Sequence, residues 1–103
     1  MNDRVVIVTG ASQGIGRATA IRLAQDFGAI VLVARSEEKL RETEREVVAA
    51  GARALVVSAD LSEAPAASEV VRQAVAAFGR IDALVNIAGA VPQVDVQIGR
   101  AHV

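Results

Sequence analysis

The sequence has no cysteine, tryptophan or tyrosine, and its only aromatic residues are two phenylalanines. Without cysteine the chain can form neither a disulfide framework nor a thiolate metal site, which favours a reducing compartment, and we expect a cytoplasmic location. The single histidine, His102, has no matching ligand cluster, so no metal site is expected. The core must therefore be built from Val, Ile, Leu and Ala.

The sequence also lacks an excess of charge of either sign and any long apolar run. A formal net charge of -1 gives no electrostatic reason to expect nucleic acid or an anionic membrane as a partner. No apolar run reaches membrane-spanning length, and the run near the N-terminus is too short for a signal peptide. The composition, 52% hydrophobic and 22% charged, is that of a globular domain, so a small molecule is the expected partner.

Four short apolar runs recur along the chain, with segments of helical periodicity between them. The runs are Val5 to Val8, Ile30 to Ala34, Ala54 to Ser58 and Ile81 to Val85. Unbroken apolar runs of this length are typical of strands buried on both faces. Strands that alternate with helices, joined by right-handed crossovers, form a parallel sheet. We therefore predict an α/β fold, a Rossmann-type three-layer sandwich with a partial parallel sheet of strand order 3-2-1-4.

The three intervening segments have helix start and stop signals. The first is expected to bury one apolar face as far as Phe27 and to end at Gly28. The second begins with Ser36 as its N-cap and ends before Gly51. The third starts near Ser62 and ends at Gly79. Its predicted buried residues are Val71, Ala74, Val75 and Phe78.

A glycine-rich turn, Thr9 to Gly16, lies between the first strand and the first helix. Glycines let the backbone approach a diphosphate without Cβ clashes, and the following helix presents free N–H groups and the positive end of its dipole. The chain order reverses between strands 1 and 4, so a crevice is expected above their carboxyl ends, flanked by Gly10 and Asn86. This pattern predicts a dinucleotide site.

Four motifs in this order resemble the short-chain dehydrogenase/reductase family over residues 4–89. They are Thr9-Gly-x-x-x-Gly-x-Gly16, Ala34-Arg35-Ser36, Asp60-Leu61 and the run from Asp82 to Gly89. A glycine pattern alone would be weak, but four motifs on the right elements are specific. The resemblance implies an NAD(P)-dependent oxidoreductase that moves hydride between nicotinamide and a carbonyl or alcohol substrate.

The resemblance also implies roles for residues of the turn. Three glycines would shape it, and three further residues would lie along the path of the adenosine ribose, phosphate and pyrophosphate: Gly10, Gly14 and Gly16, and Ser12, Gln13 and Ile15. Further along, Asp60 and Leu61 resemble the pair that contacts adenine. The segment with Asn86, Ala88 and Gly89 resembles the Asn-Asn-Ala-Gly segment beside the nicotinamide ribose, with Ile87 in place of the second Asn.

Arg35 bears on the choice between NADP and NAD. An NAD-preferring fold usually ends strand 2 with an acid that accepts from the ribose 2'-hydroxyl, whereas a guanidinium can bind a 2'-phosphate through two hydrogen bonds. Ser12 and Ser36 could add hydroxyl donors, so we predict NADP in preference to NAD. The alternative is an exposed arginine paired with Glu37 or Glu38.

The family's acid/base apparatus has no counterpart here. By resemblance it consists of a serine and a later Tyr-x-x-x-Lys, but this chain has no tyrosine. The only lysine, Lys39, falls on the charged second helix, where a solvated surface role is expected. We therefore expect an enzyme only in an intact family member and no activity from this fragment. The alternatives are a non-catalytic NAD(P)-binding module and an α/β domain that scaffolds a partner.

The C-terminal residues do not follow the pattern of the preceding chain. Residues 90–96 resemble a family loop, and residues 97–103 have no periodicity; the last six can be encoded by DNA that resembles a short-read sequencing adapter. We predict a partial NAD(P)-binding Rossmann domain over 1–96 and a non-native tail over 97–103. Strand 4 would then be an exposed sheet edge, and a homo-oligomer is expected only for the intact protein.

Overall fold

The computed structural model describes residues 2–88 and 93–98. The described residues form five strands and three helices. In order they are β1 Val5–Thr9, α1 Gly14–Leu23, β2 Ala29–Ala34, α2 Glu37–Ala49, β3 Arg53–Ser58, α3 Ala64–Phe78, β4 Ala83–Ala88 and β5 Gln93–Ile98. Strands and helices alternate as far as β4, and the last two elements are both strands. The four apolar runs of the sequence thus form the first four strands, displaced by up to three residues at their ends.

The strands form one sheet of order β3-β2-β1-β4-β5. The first four strands are parallel, which confirms the predicted order 3-2-1-4. In the register, Ile7 of β1 lies between Val31 of β2 and Leu84 of β4. β1 is therefore central, and its carboxyl end lies between those of β2 and β4.

The sheet separates two apolar layers, as expected of a three-layer sandwich. Alternate residues of each strand point to opposite faces, so Val6 and Val8 pack on one side of β1 while Val5 and Ile7 pack on the other. The first layer also contains Leu40 and Val47 of α2 and residues of α1. The second is covered by α3, mainly through Val70 and Ala74.

Helix ends follow most of the sequence signals. The side chain of Ser36 accepts a hydrogen bond from the backbone N–H of Lys39 at 3.3 Å, so the predicted N-cap of α2 is confirmed. Pro65 lies in the first turn of α3, and Gly79 ends that helix in a left-handed conformation with φ 80°. α1, however, ends at Leu23, so Phe27 packs on the core from the segment after the helix.

Two further sequence expectations are wrong. Val71 is 36% exposed, because α3 turns Val70 toward the sheet in its place. Strand β4 is not an edge, since β5 pairs with it antiparallel from Ala83 with Ile98 to Ala88 with Gln93. β5 lies partly in the segment expected to be a loop and extends into the one expected to have no regular structure. A second strand satisfies the backbone groups that β4 would otherwise expose.

At the amino ends of β1 and β4, the side chain of Asp82, which precedes β4, links the two strands. Its carboxylate accepts hydrogen bonds from the backbone N–H of Val5 at 2.8 Å and from the Arg80 guanidinium at 2.9 Å. Arg80 also lies 3.3 Å from the carboxylate of Asp3. The hydrogen bonds from Arg80, and then the one from Val5, lower the pKa of Asp82 below its ordinary value. The carboxylate joins β1 to the entry of β4.

Replacing Asp82 by asparagine is expected to lower the free energy of unfolding at neutral pH by about 1–2 kcal/mol, since the charge-assisted bonds to Arg80 are lost. Because the folded-state pKa is depressed, this stabilisation is present above the ordinary aspartate pKa and disappears as pH falls through the folded value. Urea unfolding of both proteins at pH 7 and near pH 2 measures it. Glu42, which is exposed and has no ion pair in the described residues, offers Glu42→Gln as the control. A loss that is the same at both pH values would contradict this role.

Candidate functional site

An open cleft of about 1020 Å³ lies above the carboxyl ends of the parallel strands. It is bordered by Thr9 at the end of β1, Ala34 at the end of β2, Ala59 after β3, and Asn86 and Ile87 in β4. The glycine-rich turn forms its floor, and the first residues of α2 form one wall. The cleft thus lies where the reversal of chain order predicts a ligand site.

Two glycines allow the turn to pack directly against neighbouring backbone. A Cβ on Gly16 would lie 1.7 Å from the backbone oxygen of Gly10, and a Cβ on Gly10 would lie 2.6 Å from the backbone oxygen of Ile87. Gly10 also has φ 66°, in the left-handed region. The start of α1 is therefore held close to the ends of β1 and β4, and only glycine fits at these contacts.

Residues of β2 and α2 hold the glycine-rich turn through two hydrogen bonds to Ala11. The backbone N–H of Ala11 donates to the backbone oxygen of Val33 at 3.2 Å. The hydroxyl of Thr43, a side chain with no exposed surface, donates to the backbone oxygen of Ala11 at 2.9 Å. A buried hydroxyl that satisfies a buried carbonyl fixes local geometry. Both backbone polar groups of Ala11 are thereby paired within the protein.

A second set of hydrogen bonds joins the ends of β1 and β4 at the cleft. The hydroxyl of Thr9 donates to the side-chain oxygen of Asn86 at 2.5 Å and accepts from the backbone N–H of Ile87 at 3.0 Å. The Thr9 hydroxyl thereby uses its proton and a lone pair within the protein. The Asn86 amide is oriented by its oxygen, which leaves its NH₂ group available to a ligand.

The loop after β3 contains Asp60, Leu61 and Ser62. Asp60 accepts hydrogen bonds from the Ser62 hydroxyl at 2.6 Å and from the Ser62 backbone N–H at 3.0 Å. These bonds, with a smaller contribution from the positive charge of Arg35, lower the pKa of Asp60. The carboxylate is therefore ionised at neutral pH and can accept a further hydrogen bond. Leu61 is 39% exposed beside it and offers an apolar surface.

The cleft also contains two cationic side chains. Arg35 and Lys39 both line it, together with Ser12 and Ser36. Within residues 2–88 and 93–98 the Arg35 guanidinium has no hydrogen bond and no ion pair. The sequence analysis gives Glu37 and Glu38 as alternative partners for Arg35. Neither forms an ion pair with it among the described residues, and Glu37 pairs with Arg41 at 3.9 Å. Arg35 is therefore free to bind an anion in the cleft.

Eleven of the thirteen residues predicted for the site line this cleft. They are Gly10, Ser12, Gln13, Gly14, Ile15, Gly16, Arg35, Ser36, Asp60, Leu61 and Asn86. Ala88 is the last residue of β4 and pairs with Gln93, whereas Gly89 lies outside the described residues. The structure thus brings the motifs together, and their cofactor roles stay predictions.

The sequence patterns did not predict that Lys39 and Thr43 belong to the site. Lys39 is exposed, as expected of a surface lysine, but it lines the cleft, and its ammonium donates to the Gln13 side-chain oxygen at 3.1 Å. The signal for Lys39 is its place in the first turn of α2, three residues after the Ser36 cap that lines the cleft. Thr43 lies one turn further along and had no signal beyond its spacing from Lys39.

Neither a metal-binding group of side chains nor a helix that could span a membrane is found in the described part of the chain. Residues 2–88 and 93–98 contain no group of three or more His, Asp or Glu side chains that could hold a metal ion. His102 lies outside them. Among the same residues, no helix has the length and apolar character needed to span a bilayer.

Comparison with protein families gives one assignment that covers most of the chain. A family model described as short chain dehydrogenase matches residues 4–101. A curated relative, 1,6-dihydroxycyclohexa-2,4-diene-1-carboxylate dehydrogenase from Acinetobacter baylyi, is 46% identical over 86 residues, which are 84% of this chain and 33% of the relative. The chain spans about a third of the length of the curated relatives it matches.

Solved structures give the same picture. A metagenomic short-chain oxidoreductase in complex with NADP is 47% identical, with a TM-score of 0.80 over 87% of this chain and 41% of the other. A short-chain dehydrogenase from Mycobacterium paratuberculosis bound to NAD is 34% identical, with a TM-score of 0.78 over 88% and 38%. Similar folds therefore hold either dinucleotide, and the choice between them depends on individual residues of the cleft.

Proposed function

This chain belongs to the short-chain dehydrogenase family, and we propose that it is the cofactor-binding portion of an NADP-dependent oxidoreductase. The complete protein would transfer hydride between nicotinamide and a carbonyl or alcohol of a small molecule. The observation that supports it most is the cleft itself, where a glycine-built turn, a helix N-terminus and an unpaired guanidinium face one space. Each of these is suited to a phosphate.

The residues present fit a dinucleotide. Gly16 allows the start of α1 to pack against Gly10, and the first residues of α1 line the cleft, where their free N–H groups would bind a pyrophosphate. Asp60 would accept from the adenine amine, and Leu61 would cover the ring. On the other side Asn86 would lie beside the nicotinamide ribose. The nicotinamide, when bound, supplies the hydride chemistry, and the residues here bind and orient it.

NADP is preferred to NAD in this proposal because of the end of β2. Where an NAD-specific fold has an acid, this chain has Arg35, with the hydroxyls of Ser12 and Ser36 in the same cleft. Ser36 uses only its oxygen in capping α2, so its proton remains available to a phosphate. The relatives with NADP and with NAD show that the family accommodates both, and Arg35 favours the first.

The 103-residue chain is proposed to bind its cofactor without turning over substrate. It has no tyrosine, and proton transfer in the longer oxidoreductase would be performed by residues outside it. Residues 97–103 are proposed to be a non-native tail that follows a partial Rossmann domain over 1–96. A cytoplasmic location, a small-molecule substrate and an oligomer of the intact protein belong to the same proposal.

NADPH at about tenfold above its Kd is expected to stabilise the 103-residue chain by about 1.4 kcal/mol, because a ligand that binds only the folded state shifts the unfolding equilibrium. For a domain of this size that raises Tm by roughly 5–10 °C. A thermal melt followed by circular dichroism measures it, with NADH as the comparison ligand. An unchanged Tm with both dinucleotides would favour a scaffold domain. Oxidation of NADPH by this chain in the presence of a carbonyl compound would show that it is catalytic on its own.

A further inference from the structure

Lys39 stands at an unfavourable place for a cation. It is the third residue of α2, in the first turn, where the helix dipole favours acids such as Glu37 and Glu38. A lysine there destabilises the isolated helix, whereas the same charge near the C-terminal end of α2 would stabilise it. Its position therefore has no explanation in the stability of the helix that carries it.

The ammonium of Lys39 also has no acidic partner in the described residues. Its side-chain hydrogen bond goes to the neutral amide oxygen of Gln13 at 3.1 Å, across from α2 to the glycine-rich turn. The acids nearest in sequence do not neutralise it, since Glu37 pairs with Arg41, and Glu38 is exposed and does not line the cleft. A neutral acceptor holds an ammonium more weakly than an anion does, so it can be exchanged for a charged ligand.

The same cleft contains a second cation, Arg35, four residues before Lys39 and on the other side of the Ser36 cap. The two side chains, the Ser36 hydroxyl and the N-terminal end of α2 therefore surround one region of the cleft. The acidic residue that lines the cleft, Asp60, hydrogen-bonds to Ser62 and stays ionised, so the two cations outnumber it. This region has the composition of a site for a phosphate monoester with two negative charges.

We infer that Lys39 is a specificity-determining residue that leaves Gln13 and binds the 2'-phosphate of the dinucleotide together with Arg35. The inference rests on the proposed function, since it requires a 2'-phosphorylated adenosine in this cleft. Gln13 keeps the ammonium at the cleft when no phosphate is bound and limits its loss of side-chain freedom on binding. Lys39 thus adds discrimination between NADP and NAD, while the pyrophosphate is held by the turn.

The test uses two small ligands that differ only in the 2'-phosphate, 2',5'-ADP and 5'-AMP, titrated calorimetrically into the 103-residue chain. Lys39→Gln is expected to weaken binding of 2',5'-ADP by roughly tenfold, which corresponds to the loss of one charge-assisted hydrogen bond. Binding of 5'-AMP is expected to stay within about twofold. Lys39→Arg, which keeps the charge, is expected to retain most of the preference for 2',5'-ADP.

Arg45→Gln is the matched control, since Arg45 is an exposed cation of the same helix that does not line the cleft. If Lys39→Gln and Arg45→Gln weaken 2',5'-ADP equally, the effect is one of overall charge and the inference is wrong. Equal weakening of both ligands by Lys39→Gln would also overturn it, because Lys39 would then only position the turn. A wild-type chain with no preference for 2',5'-ADP would instead refute the proposed NADP specificity itself.

Discussion

Replacing Gly16 by alanine is expected to lower the free energy of unfolding by about 3 kcal/mol or more, a large part of the roughly 5–15 kcal/mol that stabilises a typical domain. The new Cβ would lie 1.7 Å from the backbone oxygen of Gly10, so α1 must move away from β1. Backbone cannot yield as a flexible side chain can, and Gly10 is itself in contact with Ile87. Urea unfolding followed by circular dichroism measures the loss.

The sign of this effect separates packing from helix propensity. Gly16 lies inside α1, where alanine would ordinarily stabilise a helix by about 0.5–1 kcal/mol relative to glycine. Gly14→Ala is the matched control, because a Cβ there meets nothing within 4 Å and only the positive φ of 58° opposes it. That variant is expected to lose about 1–2 kcal/mol. A Gly16 variant no less stable than the Gly14 variant would show that α1 is not held by this contact.

Much of the fold could be predicted because its signals are local. The buried strands β1 and β2 are unbroken apolar runs, and the cap of α2 is a serine whose hydroxyl bonds three residues along. Right-handed crossovers limit the possible strand orders, and the dinucleotide-binding pattern selects the order 3-2-1-4 among them. The place of the cleft follows from that order, since the carboxyl ends of parallel strands meet at one edge, whereas most of its individual residues were predicted from the resemblance to the family's motifs.

The remaining features depend on partners distant in sequence. β5 alternates polar and apolar residues over only six positions, which does not indicate the strand it pairs with, and its place in the sheet comes from pairing with β4. Whether Val70 or Val71 is buried depends on the rotation of α3 against the sheet, which an apolar pair does not reveal. Thr43 and Lys39 reach the glycine-rich turn only because α2 packs beside α1. A pattern of spacing does not contain such side-chain contacts between elements.

Replacing Arg35 by aspartate is expected to reverse the cofactor preference, with binding of NADPH weakened by roughly 100-fold and binding of NADH unchanged or stronger. The guanidinium is lost, and hydrogen bonds to a charged group contribute about 1.5–3 kcal/mol. The introduced carboxylate repels a 2'-phosphate and can accept from a free ribose 2'-hydroxyl, as acids at the end of strand 2 do in NAD-specific folds. Titration of each dinucleotide into the wild-type and variant chains gives the two ratios.

The control for Arg35→Asp is Arg45→Asp, which makes the same change of charge at a residue that does not line the cleft. Arg45→Asp alters the net charge equally, so any weakening of NADPH that it causes measures long-range electrostatics alone. Arg35 has no ion pair in the described residues, and its removal therefore leaves no buried charge unpaired in the ligand-free protein. Because Arg35→Asp also places a carboxylate near Asp60, whose pKa the Arg35 charge lowers, the unfolding of both variants is measured to show that each remains folded. Equal weakening of NADPH and NADH by Arg35→Asp would mean that Arg35 contacts a part common to both, and the preference for NADP would then have another origin.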